Sequence, residues 1–287
     1  MTIYSLIDKI SVSIGCHFFP KYFRDGLKTV SLKENLDATE VVLSSDLQEG
    51  DYKVQARTMA GELGAMYRIA QWKGRERPTI IYHHGASEIP FDYGFKRIFP
   101  YQKLEIDANL IVIQAPFHAS RRDFSKGMAT LENFTAMIAT SIQVIEKLIT
   151  QIKESSKETI GVSGTSLGGY ITNFHHIYYN TADRYIPLLA GLNMYDTLFE
   201  SIYNKSVTEP DQRTKNELNK LFNLRNEFAA CYNQNVFPLL AIHDQLVRYE
   251  VQVKSYSECS IYTVNLGHAT GALAAKRLRE HILKFID

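Results

Sequence analysis

The chain has 287 residues, a formal net charge of +1 and 45% hydrophobic residues. That length suits one large α/β domain with a sizeable core, or two small domains. The near-neutral balance argues against a general electrostatic grip on nucleic acid, which needs a basic surface to displace counterions.

Residues 1–38 read as an N-terminal helical extension. The apolar stretch "ISVSIGCHFF" (10–19) follows Asp8 and Lys9 and contains Ser11, Ser13 and His17, so it lacks the basic start and clean apolar run of a signal peptide. A helix packing on the domain fits it better. No stretch approaches the roughly 20 apolar residues of a membrane-spanning helix, and the expected address is cytoplasmic. Three scattered cysteines, Cys16, Cys231 and Cys259, show no CxxC spacing. They read as free thiols rather than a disulfide framework or a zinc ribbon.

From residue 39 onward, short β-branched or aromatic runs predict eight strands, at 39–45, 64–72, 78–84, 108–116, 158–164, 184–192, 236–244 and 259–267. The turn-like "LQEGD" between the first two predicts an antiparallel start. Helices are predicted over 129–154, 167–180, 248–257 and 270–286. In the first of these, Leu131, Phe134, Ile138, Ile142, Ile145 and Leu148 recur at three- and four-residue steps. Near-continuous apolar strands alternating with helices mean a mostly parallel sheet buried on both faces. Residues 195–235 break this rhythm with a polar, helix-like insertion containing Pro210. The organisation expected is a domain over 39–287 with a small helical lid at 195–235.

Ligands of such sheets bind beyond the carboxyl ends of the strands, so residues there carry the most weight. One such end is "GVSGTSLGGY" (161–170), in which "GTSLGG" fits the G-x-S-x-G nucleophile elbow between a predicted strand and a predicted helix. A turn that strains its central residue needs small neighbours two before and two after, and Gly164 and Gly168 supply them. Gly169 lets the following helix approach the sheet. Ser166 then stands at the head of a helix whose dipole favours developing negative charge. A glycine-rich phosphate loop fits poorly, because no GxGxxG is present and no lysine follows the glycines.

A serine hydroxyl is a weak nucleophile and needs a base with an orienting acid. Asp244, in "AIHDQLV", and His268, in "NLGHATG", follow the seventh and eighth predicted strands. Asp196, after the sixth, is the rival acid. The loop after the third strand, "YHHGAS", offers the Ala86 amide as an oxyanion donor beside that of Leu167, with the Ser87 amide as the alternative.

Taken in order, "HHGAS", "GTSLGG", "HDQLV" and "LGHATG" make residues 39–287 resemble the α/β-hydrolase fold serine hydrolases. The resemblance implies a catalytic triad of Ser166, Asp244 and His268, an oxyanion hole of Ala86 and Leu167, and hydrolysis of a small-molecule acyl ester with no cofactor. "HHGAS" departs from the triple-glycine form of one esterase branch. Thioesterases, lipases, peptidases and acyltransferases share the machinery, and a non-catalytic ligand-binding member is the alternative of another class.

His118, Tyr195 and Phe199 are candidate substrate contacts. The aromatics of 195–235 could line an acyl pocket or hold the insertion down. Arg121 and Arg122 could meet an anionic substrate group if His118 touches substrate, or lie on a solvated face. His83 and His84 read as structural. His175 and His176 are adjacent on a predicted helix, where their side chains diverge, so no metal site is expected.

Overall fold

The computed structural model describes residues 2–18, 20–44, 46–256 and 258–286. Ser45 and Ser257, the last residues of a predicted strand and a predicted helix, lie outside that set. One sheet gathers β1 (Glu40–Val42), β2 (Gly50–Thr58), β3 (Gly61–Gln71), β4 (Thr79–His83), β5 (Asn109–Gln114), β6 (Ile160–Thr165), β7 (Arg184–Leu188), β8 (Leu239–Ala241) and β9 (Tyr262–Val264). Their order across the sheet is β1-β2-β3-β5-β4-β6-β7-β8-β9. From β5 to β9 every neighbouring pair is parallel, while β1, β2 and β3 join antiparallel.

Among the described residues the sheet therefore has nine strands where eight are predicted. The addition is β2, which lies between the first two predicted strands and pairs with both. Its sequence "DYKVQART" alternates, with Val54, Ala56 and Thr58 buried and Lys53, Gln55 and Arg57 exposed. Half of such a strand faces water, so it has no apolar run to announce it. The turn to β3 is two residues long, and the Thr58 hydroxyl closes it by donating to the Gly61 carbonyl at 2.8 Å.

Both faces of the parallel region are buried. Ile80, Tyr82, Leu110 and Val112 point into one core, and Ile81, Ile111 and Ile113 into the other. This is the two-residue alternation of a doubly covered sheet. Helices α1 (Ile3–Phe18) and α2 (Leu32–Asp37) precede the sheet. Two short helices, α3 (Tyr93–Ile98) and α4 (Arg121–Gly127), follow β4 and β5; neither spans enough residues to show a period. The long α5 (Leu131–Lys153) buries all six residues of its predicted stripe, and α6 (Leu167–Tyr178) follows β6 directly.

Between β7 and β8, the 195–235 segment forms a π-helical turn (Asp196–Glu200), a 3-10 turn (Ile202–Ser206), α7 (Gln212–Phe222) and α8 (Arg225–Ala229). The helix predicted at 248–257 is confined to α9 (Tyr249–Gln252). The one predicted at 270–286 divides into α10 (His268–Leu273) and α11 (Ala275–Leu283). Leu278 and Ile282 of α11, with Phe95 and Ile98 of α3, cover one face, while α2, α5 and α6 cover the other. Among the described residues no helix is long and apolar enough to cross a membrane.

Candidate active site

The carboxyl ends of β4, β6, β8 and β9 open on one cavity of about 360 Å³. Ser166 follows the last residue of β6. Its backbone adopts φ 58° and ψ −113°, left-handed space that costs a residue with a Cβ roughly 1–3 kcal/mol unless its surroundings enforce it. They do. The Ser166 amide donates to the Leu188 carbonyl at 2.9 Å, and its carbonyl accepts from the Tyr170 amide at 3.0 Å. A Cβ on Gly164 would sit 2.5 Å from the Gly168 carbonyl carbon, and one on Gly168 would sit 2.1 Å from the His83 carbonyl oxygen. A Cβ on Gly169 would meet that of Ala190 at 2.6 Å. The glycines thus permit contact between strand, turn and helix that no other residue allows.

The side chain of Ser166 meets its expected partners. Its Oγ lies 2.9 Å from His268 Nε2, and His268 Nδ1 lies 2.6 Å from Asp244 Oδ2. The second Asp244 oxygen accepts the amides of Leu246 at 2.8 Å and Val247 at 2.7 Å. Both carboxylate oxygens are occupied, which fixes the one that faces the imidazole. The rival, Asp196, is turned elsewhere: it accepts from Arg248 Nε at 3.1 Å and makes a second contact with that guanidinium. The structure joins Asp244, not Asp196, to His268.

Electrostatics follow from burial and charge. Burial opposes a charged His268, but the adjacent Asp244 carboxylate, its hydrogen bond and the charge of Asp8 outweigh it and hold the imidazole above its ordinary value. Burial pushes the Asp244 carboxyl up, while the His268 charge and hydrogen bond pull it down. The net direction for Asp244 is upward, because burial outweighs the pull of the ring, and the contact between the two groups favours uptake of a proton by the imidazole.

Leu167 opens α6, so its amide is one of the first-turn donors with no partner one turn back. Across the cavity, the loop after β4 packs against the serine: a Cβ on Gly85 would come 3.8 Å from that of Ser166. His84 orients this loop. Its Nε2 accepts the Ala115 amide at 3.1 Å, so the proton sits on Nδ1, which donates to the Gly85 carbonyl at 2.7 Å. Carbonyl and amide of one trans peptide point opposite ways, so anchoring the Gly85 oxygen leaves the Ala86 N–H facing away from the ring. Ala86 lines the cavity. Glu88, whose carboxyl is raised by burial, accepts the amides of Gly85 at 3.0 Å and Gly94 at 2.8 Å.

His118, Tyr195 and Phe199, the candidate substrate contacts, are not among the residues that border the cavity. His118 is buried with its ring nitrogens 2.9 Å from the Pro116 carbonyl and 2.6 Å from that of Ala86, so it lies behind the loop. The Tyr195 hydroxyl donates to Glu200 at 2.9 Å, and Phe199 packs on Tyr195 with centroids 5.4 Å apart. Their segment contributes Met194, Thr197 and Leu198 to the wall instead. A helical stretch from Tyr195 turns alternate residues away from one another, and composition alone does not say which face looks inward.

His83 and His84 are buried and held neutral. His175 bonds Tyr185 and Glu146, and His176 bonds Asn180 and Asn233. Among the described residues, no three His, Cys, Asp or Glu side chains cluster as metal ligands.

The residue that sequence reading missed is Asp8. It is fully buried and accepts the amides of Gln245 at 3.1 Å, His268 at 2.9 Å and Ala269 at 3.0 Å. A lone acidic residue ahead of an apolar run reads as a break in that run. Only contacts more than 230 positions away reveal its place.

Solved structures carry the same architecture. Acetyl xylan esterase 1 from a Thermoanaerobacterium species superposes with a TM-score of 0.57 at 14% identity, covering 87% of this chain and 90% of that one. An esterase of Pyrococcus furiosus gives 0.52 at 14% identity, over 94% and 100%. The acylaminoacyl peptidase of Pyrococcus horikoshii gives 0.57 at 16% identity, covering 84% of this chain; the match spans only 42% of the peptidase. No family model and no curated protein sequence matches the chain. The class is thereby defined: this is an α/β-hydrolase fold, with a serine, an imidazole and a carboxylate hydrogen-bonded in series at its carboxyl edge.

Proposed function

We propose that the chain is a serine hydrolase, a carboxylesterase that cleaves small or medium acyl esters through an acyl-serine intermediate. The observation that carries this is the chain of contacts from Ser166 Oγ to His268 Nε2 at 2.9 Å and from His268 Nδ1 to Asp244 at 2.6 Å. Ser166 attacks the ester carbonyl carbon while His268 takes its proton. Asp244 holds the imidazole in the tautomer that leaves Nε2 free and compensates its charge. The amides of Ala86 and Leu167 receive the developing oxyanion, aided by the α6 dipole. His268 then protonates the departing alkoxide, and a water that it activates releases the acid and restores Ser166.

The substrate class follows from the walls. Val12, Met128, Phe134, Met194 and Leu198 give the cavity an apolar side suited to an acyl chain, and about 360 Å³ lies at the small end of ligand sites. The 195–235 segment acts as a lid through its first part, since Thr197, Leu198 and Tyr203 line that cavity. The three unpaired cysteines suit a cytoplasmic setting. A strained serine is no requirement for holding a ligand, which disfavours a purely binding role.

A fluorophosphonate probe should label the protein at Ser166 and leave a Ser166→Ala variant unlabelled. p-Nitrophenyl esters of rising chain length should show turnover that peaks at short or medium chains. No labelling of the unaltered protein sinks the proposal. Labelling without turnover of any ester redirects it to amide or peptide substrates.

A further inference from the structure

Helix α1 carries an aspartate on its buried face, and the mechanism above makes no use of it. Asp8 is fully shielded from water. Burying a carboxylate costs several kcal/mol unless hydrogen bonds replace its hydration. Here three backbone amides do so, one at Oδ1 (Ala269, 3.0 Å) and two at Oδ2 (His268, 2.9 Å; Gln245, 3.1 Å). These amides belong to two separate segments. Gln245 is the neighbour of Asp244 in the loop after β8, and His268 and Ala269 open α10 after β9.

The two segments need a clasp. β8 and β9 are three residues each, and β7 meets β8 in a single register pair, so the sheet gives this edge few ladder bonds. Its loops must nevertheless hold an imidazole to within a fraction of an ångström of a serine on β6. α1 approaches closely enough to do this only because residue 267 is glycine: a Cβ there would sit 2.9 and 3.0 Å from the two Asp8 oxygens and 3.0 Å from the Tyr4 carbonyl. Tyr4, one turn earlier on α1, stacks on His243 with centroids 5.6 Å apart. Ser11, Val12 and Gly15, further along the helix, line the cavity itself.

We infer that Asp8 is a positioning residue: its carboxylate clasps the acid-bearing loop to the base-bearing helix and sets the register of His268 between Asp244 and Ser166, making α1 an integral wall of the active site. This rests on the serine hydrolase reading. The ionisable groups around His268 among the described residues are Asp244 after β8, Asp8 on α1, and Glu88, Tyr22, Tyr170 and Tyr203 on the cavity wall. Of these, Asp244 and Asp8 bias the imidazole toward its protonated form.

The test uses the full chain with Asp8→Asn, Asp8→Glu and Gly267→Ala. Competent sites are counted by fluorophosphonate titration, so that kcat is expressed per active molecule. Asp8→Asn should lower kcat roughly 10- to 100-fold with little change in KM, the loss expected for a misplaced catalytic group. It should also move the acid limb of kcat/KM to lower pH, because removing a nearby negative charge makes the imidazolium easier to deprotonate. Asp8→Glu keeps the charge and displaces its oxygens, so it should retain the acid limb while losing kcat. Gly267→Ala, which crowds Asp8 without altering it, should lower kcat by less. A merely structural role would reduce the number of titrated sites and leave both kcat per site and the acid limb in place; that result overturns the inference.

Amide exchange in the unaltered chain decides the case if the variants do not fold. Gln245, His268 and Ala269 should exchange slowly, and rapid exchange at these three sites rejects the clasp. An unaltered protein inert to the probe removes the hydrolase reading alone, because exchange still reports on the clasp.

Discussion

The two halves of the candidate active site are built differently. The serine half is local: β6, the turn and α6 are consecutive in the chain, and their geometry is enforced by three glycines whose neighbours leave no room for a Cβ. The acid–base half is assembled at long range. Its strands are three residues each, and its loops are tied to a side chain on α1, 237 to 261 positions away. The first half resists change because it is sterically full, whereas the second depends on charge and hydrogen bonds. Substitutions of the same type should therefore behave differently at the two ends.

The largest effect is expected at the elbow. In a Gly168→Ala variant the new Cβ would fall 2.1 Å from the backbone oxygen of His83, and backbone has no rotamer by which to yield. The turn should open, with loss of probe labelling and destabilisation on the order of several kcal/mol, as overpacking and strain combine. Denaturant titration alongside labelling checks both. Survival of full labelling would mean that Ser166 does not need its left-handed backbone.

Next comes the carboxylate. Asp244→Asn should reduce kcat/KM by about four orders of magnitude while leaving the fold intact, because the amide favours the wrong imidazole tautomer. Asp196→Asn should leave kcat within a few-fold and instead lower the unfolding midpoint, since it breaks the pairing with Arg248. The reverse ranking would return Asp196 to the role of acid.

This contrast also explains what the sequence could reveal. The elbow is legible because its constraint is written in adjacent residues: no composition other than glycine at 164, 168 and 169 permits those contacts. Asp244 and His268 are legible through position, as polar residues just beyond apolar strands in a fold whose ligands bind there. The wall is not. His118, Tyr195 and Phe199 have suitable chemistry, yet Met194, Thr197 and Leu198 face the cavity, because helical phase is set by packing. Strand β2 escaped because its outer face is solvated, and Asp8 because its partners are remote in sequence.

The pH profile tests the electrostatics of the second half. His268 is held above its ordinary value of 6.5, and the proposed mechanism needs it neutral to accept the serine proton. Activity should therefore fall as pH drops through a midpoint above 6.5 and reach a plateau on the alkaline side. Measuring kcat/KM between pH 5 and 9, on the order of the range where histidine titrates, locates that midpoint. A midpoint below 6.5 would show that burial outweighs the two nearby carboxylates.

The smallest effect carries the comparison to α1. Gly15 lies within that helix, and a Cβ there would meet nothing within 4 Å. Glycine in a helix interior costs about 0.5–1 kcal/mol relative to alanine through chain entropy, so Gly15→Ala should raise stability by up to that amount. The same substitution that destroys the elbow should thus strengthen α1, visible as a shift of the denaturation midpoint without change of slope. Its added methyl also borders the cavity, so preference in the ester series should move toward shorter chains. A destabilised Gly15→Ala protein would mean that α1 depends on flexibility at this position, and its rigid docking through Asp8 would have to be abandoned.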